Sequence, residues 1–202
     1  MKTIIKNKNT ITEKDNLIIL SNKKSQLSSL ALSNHEIKYV KKQQKNKAEI
    51  IILNQYTRKI IIVNPQDKSD THLYAENLRC LGDKILDEIK NLDSITVDNI
   101  ERNTISTYAL VEGIALANYK FTNHKSKQEK EKTITIYIYK NNNIDNLAEI
   151  EKLANAVRLT KDLVNTPFSH LKATDLANLA QEAGEKSGYK TTIFNKKKIQ
   201  SL

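Results

Sequence analysis

Blocks of consecutive isoleucine alternate along this chain with stretches in which apolar residues recur every three or four positions. Ile50-Ile51-Ile52 and Ile60-Ile61-Ile62 sit in the runs 49–53 and 59–63. Continuous β-branched blocks suit strands covered on both faces, and residues 54–58 between them are short enough for a hairpin. Residues 3–6, 17–21 and 95–97 predict further short strands. In 133–139, Ile134, Ile136 and Ile138 alternate with Thr133, Thr135, Tyr137 and Tyr139. That period of two predicts a half-covered or edge strand. Tyr74, Leu78, Leu81, Ile85, Ile89 and Leu92 form one stripe, which predicts an amphipathic helix over 71–91. Residues 103–118 are apolar on most sides and predict a buried helix.

The polar stretch Asn141–Asn143 breaks the chain, and a long helix follows from Asp145 to about Asn165. It has two apolar faces: Leu147, Ile150, Ala154, Val157 and Val164 on one, Leu153, Ala156, Leu159 and Leu163 on the other. Such a helix reads as wedged between two bodies, as a helix joining two domains would be. Thr166-Pro167 ends it, because the residue before proline disfavours the α conformation. A helix over 173–186, a break at Gly188, a strand over 189–195 and a helix start at Lys196 follow. Lys41–Lys47 and His124–Lys132 read as solvated loops. The organisation is therefore an α/β domain over 1–140, a bridging helix over 141–167, and the start of a second α/β unit over 168–202. One helix and one strand do not close an α/β layer. The expectation is that the second unit is truncated and that its catalytic or binding half lies beyond residue 202.

Composition narrows the function classes. The 202 residues carry 33 Lys+Arg against 23 Asp+Glu, a net charge of +10. Only Arg58, Arg79, Arg102 and Arg158 are arginines, so lysine bias explains most of the charge. The lysines are interleaved with Asn rather than with aromatic residues, which weakens a nucleic-acid reading. Four scattered glycines, Gly82, Gly113, Gly184 and Gly188, do not make a glycine-rich phosphate loop. Cys80 alone excludes a disulfide-stapled domain, and mid-helix beside Leu81 it reads as a small buried residue. No apolar run is long enough to span a membrane, and the amino terminus lacks a signal-peptide core. A cytoplasmic protein is expected.

Candidate chemistry is sparse. His35, His72, His124 and His170 are far apart, and neither His-x-x-x-His nor Cys-x-x-Cys occurs, so no metal site is expected within the chain. No serine lies in a Gly-x-Ser-x-Gly turn. Glu112 is the one acid inside the apolar helical stretch. It reads either as a carboxylate with a raised pKa or, more in keeping with such residues, as one that caps or bonds a neighbouring loop.

Two stretches carry a family resemblance. Ala109–Phe121 contains Glu112-Gly113, Leu116, Tyr119 and Phe121, followed by Lys125-Ser126, and resembles the "EG-x-x-L-x-x-Y-x-F…K" segment of the leucyl (cytosol) aminopeptidase family. Lys161-Asp162-Leu163-Val164-Asn165-Thr166-Pro167, then Leu171, Leu176-Ala177 and Ala180, is similar to that family's "R-D-L-V-N-T-P … L-T-P-x-x-L-A" entry into its catalytic domain. The resemblance runs from about residue 70 to the end. Lys161 replaces the usual Arg, and Lys172-Ala173 replaces Thr-Pro, so that Thr174 is placed to cap the next helix one register later.

The resemblance implies a parent metallopeptidase, a hydrolase that releases N-terminal amino acids from peptides using two divalent ions, zinc or manganese. It implies an N-terminal domain with a macro-domain-like three-layer fold around a mixed sheet, which supports a hexamer and shapes access to the catalytic chamber. Its partners would be the catalytic domain, sister subunits and, through that domain, peptide substrates. Neither catalytic nor metal-binding residues are assigned within 1–202, no cofactor is expected there, and the chain by itself is not expected to be an enzyme. Glu112, Gly113, Tyr119, Phe121, Asp162, Asn165, Thr166 and Pro167 are motif residues with structural roles. Two alternatives stay open: a DNA-binding module using the lysine-rich loops, and a standalone interaction domain. The apolar residues Leu176, Leu179, Ala180, Ile193 and Phe194 would need a partner surface.

Overall fold

The computed structural model describes residues 2–21, 27, 30–66, 68–123, 133–139 and 147–202. Two compact units are distinguished, 1–120 with 126–158, and 121–125 with 159–202.

The first unit is a layered α/β sandwich. Strands β1 (Lys2–Lys8), β2 (Leu17–Leu20), β3 (Ile50–Asn54), β4 (Lys59–Val63), β5 (Ser94–Asn99) and β6 (Thr133–Tyr139) form one sheet in the order β1-β6-β5-β2-β4-β3. All neighbours are parallel except β3 and β4. Helices α2 (Thr71–Ile89), α3 (Thr104–Ala117) and the start of α4 (Leu147–Asn165) cover one face, and α1 (Asn34–Lys45) lies on the other.

The strand pleat divides the isoleucine blocks between two cores. Ile18, Leu20, Ile61 and Val63 point to the α2/α3 side, whereas Leu17, Ile19, Ile60 and Ile62 point to the α1 side. Residues Ile60–Val63 are fully buried, as a strand covered on both faces requires. β3 departs from the same expectation. It is the antiparallel edge strand, and its burial alternates, because beyond it no further strand pairs among the described residues. β6 is half-covered as its alternation predicts, with Ile134, Ile136 and Ile138 buried, but it lies inside the sheet between β1 and β5. The hairpin closes where Gln55 N donates to Arg58 O at 2.9 Å.

Lys41–Lys45 is not loop but the last turns of α1. Ser33 caps this helix through a reciprocal bond with Glu36, a signal that lies upstream of the lysine run and outweighs its polarity. Of the long helix, the Leu147, Ile150 and Ala154 face packs on the core, and Glu151 Oε1 accepts the β1 amide of Ile5 at 2.6 Å. Of the second apolar face, Leu153, Ala156 and Leu159 are exposed and Leu163 is half-buried.

The second unit holds the end of α4, α5 (Ala173–Ser187) and α6 (Lys196–Gln200). Residues 189–195, expected as a strand, form none: a strand needs a neighbour for its N–H and C=O groups, and none is described in this unit. Thr174 does not cap α5. The cap lies two residues earlier, at Lys172, whose N donates to the Asp175 carboxylate at 2.8 Å. The Asn141–Asn143 break and the His124–Lys132 loop lie outside the described residues.

Candidate functional site

The first motif sits at a helix crossing. A Cβ on Gly113 of α3 would run into the backbone of Arg79 on α2, 2.6 Å from its Cα. A Cβ on Gly82 of α2 would meet Leu110 O at 2.6 Å and Ile114 N at 2.8 Å on α3. Each helix therefore presents a glycine to the other's backbone. The Arg79 guanidinium then reaches Glu112, Nε donating to Oε2 at 2.7 Å, and also bonds Glu76 at 3.2 Å. Glu112 is buried, and its bond is to a neighbouring helix rather than to a loop. Burial, aided by the Glu149 and Glu112 charges, raises the nearby Tyr108 hydroxyl above its ordinary range.

Asn118, which caps α3, donates from Nδ2 to Thr3 Oγ1 on β1 at 2.9 Å, so the segment after Glu112-Gly113 is tied to the sheet edge. Tyr119 and Phe121 follow as half-buried residues beyond the helix end. Lys125 and Ser126 lie outside the described residues.

The second motif is a helix terminus. Thr166 donates to Asp162 O from both Oγ1 (2.6 Å) and N (3.0 Å), closing the last turn of α4 after Asn165. Pro167 O then accepts His170 N at 2.8 Å and Leu171 N at 3.1 Å, which starts the turn toward α5. These contacts are local. Glu112 and Gly113 lie in the first unit and Asp162, Asn165, Thr166 and Pro167 in the second.

Cys80, expected to be buried, is exposed on α2, because Leu78, Leu81, Gly82 and Ile85 take the core-facing positions. His35, His72 and His170 are exposed, and His124 lies outside the described residues. Among the described residues no three His, Cys, Asp or Glu side chains converge, so these residues do not fit a pair of metal ions. No described helix is long and apolar enough to cross a membrane.

Sequence reasoning missed a cleft on the α1 side of the sheet. It measures about 370 Å³ and is bordered by Ile11, Glu13, Leu17, Leu30, Arg58, Asp98 and Tyr139, among others. Arg58 is 8% exposed, donating from Nη2 to Leu30 O (2.9 Å) and from Nε to Gln55 Oε1 (2.7 Å). Gln55 in turn bonds Glu36 at 2.8 Å. Burial raises the Asp98 carboxyl above its ordinary range, with the Arg102 charge opposing. The available signal was the rarity of arginine in a lysine-biased chain.

No protein-family model matches the chain. Among curated proteins, the probable cytosol aminopeptidase of Clostridium perfringens is 31% identical over 149 residues, 66% of this chain and 30% of that protein. That of Fusobacterium nucleatum is 31% identical over 137 residues, 67% of this chain and 26% of that protein. The chain belongs to the leucyl (cytosol) aminopeptidase family. It spans under a third of the length of these aminopeptidases. Two solved aminopeptidase structures share its fold. A tomato leucine aminopeptidase mutant has a TM-score of 0.68 at 15% identity, covering 99% of this chain and 46% of that one. The cytosol aminopeptidase of Coxiella burnetii has a TM-score of 0.62 at 13% identity, covering 98% and 41%.

Proposed function

We propose that this chain is the N-terminal, non-catalytic region of a metal-dependent leucyl aminopeptidase acting in the cytoplasm. Residues 1–140 form a macro-like structural domain that supports subunit assembly, as a hexamer, and shapes access to the catalytic chamber. Residues 141–167 are the bridging helix, and 168–202 begin the peptidase domain. Release of N-terminal amino acids, and the two zinc or manganese ions that activate water for it, belong to the remainder of the family's length. The match to the Clostridium relative over 149 residues carries this reading. The exposed apolar side chains of the second unit, Val164, Phe168, Leu176, Ile193, Phe194 and Ile199, support it as well. The relatives matched lend no support to a DNA-binding module.

The test is leucine-amide hydrolysis with manganese or zinc. The 202-residue chain should show no turnover, and the product of a reading frame continued past codon 202 should be active and sediment as a hexamer. Metal-dependent turnover by the 202-residue chain, or a natural stop codon directly after Leu202, overturns the reading. An active but monomeric longer product rejects the assembly role alone.

A further inference from the structure

The sheet of the first unit ends in two edges that are finished differently. At one edge lies β1. Its Ile5 N–H is taken by Glu151 Oε1 of α4 at 2.6 Å, and the strand carries Lys6 and Lys8. An occupied amide and charged side chains are devices that keep a sheet edge from pairing. At the other edge lies β3, Ile50-Ile51-Ile52-Leu53-Asn54, with neither lysine nor proline. Glu49, just before it, is turned onto α2, where its Oε1 accepts Asn77 Nδ2 at 3.0 Å. The hairpin fixes the direction of the β3 backbone groups. Gln55 N donates to Arg58 O at 2.9 Å, and Asn64 N donates to Glu49 O at 2.8 Å. Bonded pairs alternate along an antiparallel ladder, so Ile51 and Leu53 bond to β4. The N–H and C=O groups of Ile50, Ile52 and Asn54 then face outward, and they bond to no described residue.

We propose that β3 pairs antiparallel with β3 of a second copy of this chain, about a two-fold axis at Ile52, joining the two sheets into one. In that register Ile52 opposes Ile52 of the second copy, and Ile50 opposes Asn54 of the second copy. All three residues direct their backbone groups outward, so each pair exchanges two bonds, about six in all. Moving the axis to Ile51 or Leu53 would pair only two of the three outward residues. The side chains agree with the same register. Ile51 lies opposite the second copy's Leu53 on the α1 side. On the other face the half-buried Ile50 and Ile52 gain cover. Glu49 faces Gln55 of the second copy, so no like charges are opposed. This match of the edge to its own sequence selects a second copy over a foreign strand. The contact is isologous and uses up the one edge left open, since β1 is blocked, so assembly stops at two. The inference stands on the first unit alone and does not depend on the aminopeptidase reading.

The experiment is analytical ultracentrifugation of the 202-residue chain from about 5 to 500 µM, with amide hydrogen exchange at both ends of that range. A monomer–dimer equilibrium should appear within it. The Ile50, Ile52 and Asn54 amides should exchange at least about tenfold more slowly at the high concentration. Asn54→Pro removes an outward N–H and leaves the β4 ladder intact, and Ile52→Lys sets two like charges against each other at the axis. Each should weaken association at least about tenfold. The second unit also exposes apolar side chains, so Leu176→Ser with Phe194→Ser is the contrast and should leave the equilibrium unchanged. A chain still monomeric at about 500 µM overturns the proposal. Undiminished dimerisation of a folded Asn54→Pro chain overturns it too, as does loss of the dimer in the second-unit variant or assembly beyond two copies. Where an edge variant fails to fold, exchange in the parent chain decides: slowing that spares Ile50, Ile52 and Asn54 overturns the pairing.

Discussion

Arg79 Nε donates to Glu112 Oε2 at 2.7 Å across the crossing of α2 and α3, where the Arg79 backbone closes over Gly113. The Glu112 side chain is 10% exposed and that of Arg79 34%. The pair is therefore neither a surface bridge nor a dry one. Glu112→Ala should cost about 1–2 kcal/mol, since Arg79 keeps its bond to Glu76. Glu112→Gln retains an acceptor and should lose less. Urea denaturation with an unchanged m-value reads both, and a neutral Glu112→Ala would remove the pair from the account of this crossing.

The two glycines of the crossing make a sharper prediction. In a free helix, alanine is better than glycine by about 1 kcal/mol. Here each added Cβ would lie within 3 Å of the partner helix's backbone, which cannot swing aside as a side chain can. Gly113→Ala and Gly82→Ala should each destabilise by about 2 kcal/mol or more. Because both push the same two helices apart, the double variant should cost less than the sum. Thermal unfolding of the three variants decides this.

Asp98 sets a pH dependence. Its folded-state carboxyl lies above the ordinary range through burial, so the folded chain holds its proton to higher pH than the unfolded chain does. Between the unfolded and folded values the native state binds more protons, and stability falls as pH rises through that window. Asp98→Asn should be more stable than the parent at neutral pH. The difference should vanish on acidification below the ordinary carboxylate value of about 4, where Asp98 is protonated in both states. Urea midpoints measured from pH 3 to 7 test it, and an unchanged gap across that range contradicts it.

Gly188 ends α5 at φ +79 with its N–H bonded to the last turn and open space where a Cβ would go. Only conformation, not crowding, opposes a side chain there. Gly188→Ala should cost about 1 kcal/mol and Gly188→Asn less, since asparagine tolerates the left-handed region. Helix content by circular dichroism, followed through thermal unfolding of the second unit, distinguishes the two.

Local pattern carried far in this chain. The isoleucine blocks, the stripe from Tyr74 to Ile89 and the polar punctuation placed β2–β6 and α2–α4 to within a few residues. α1 escaped because its lysines mask a short apolar contact made chiefly by Val40, and its capping box begins before the charged run. The cleft escaped because Arg58 and Asp98 are 40 positions apart and border one cleft only when β4 and β5 flank β2.

What the sequence alone determined is the alternation of elements, the family and the absence of a glycine-rich phosphate loop. These follow from period, residue type and motif, all of which are local along the chain. Tertiary structure decided which of two similar isoleucine blocks is interior. It made Glu112 the partner of Arg79, set Gly82 and Gly113 against opposing backbones, and put a buried cation and a carboxylate on one cleft. Those outcomes depend on the order of strands in the sheet and on the separation of two helices. Both are set by packing among residues distant in sequence, and no local pattern encodes them.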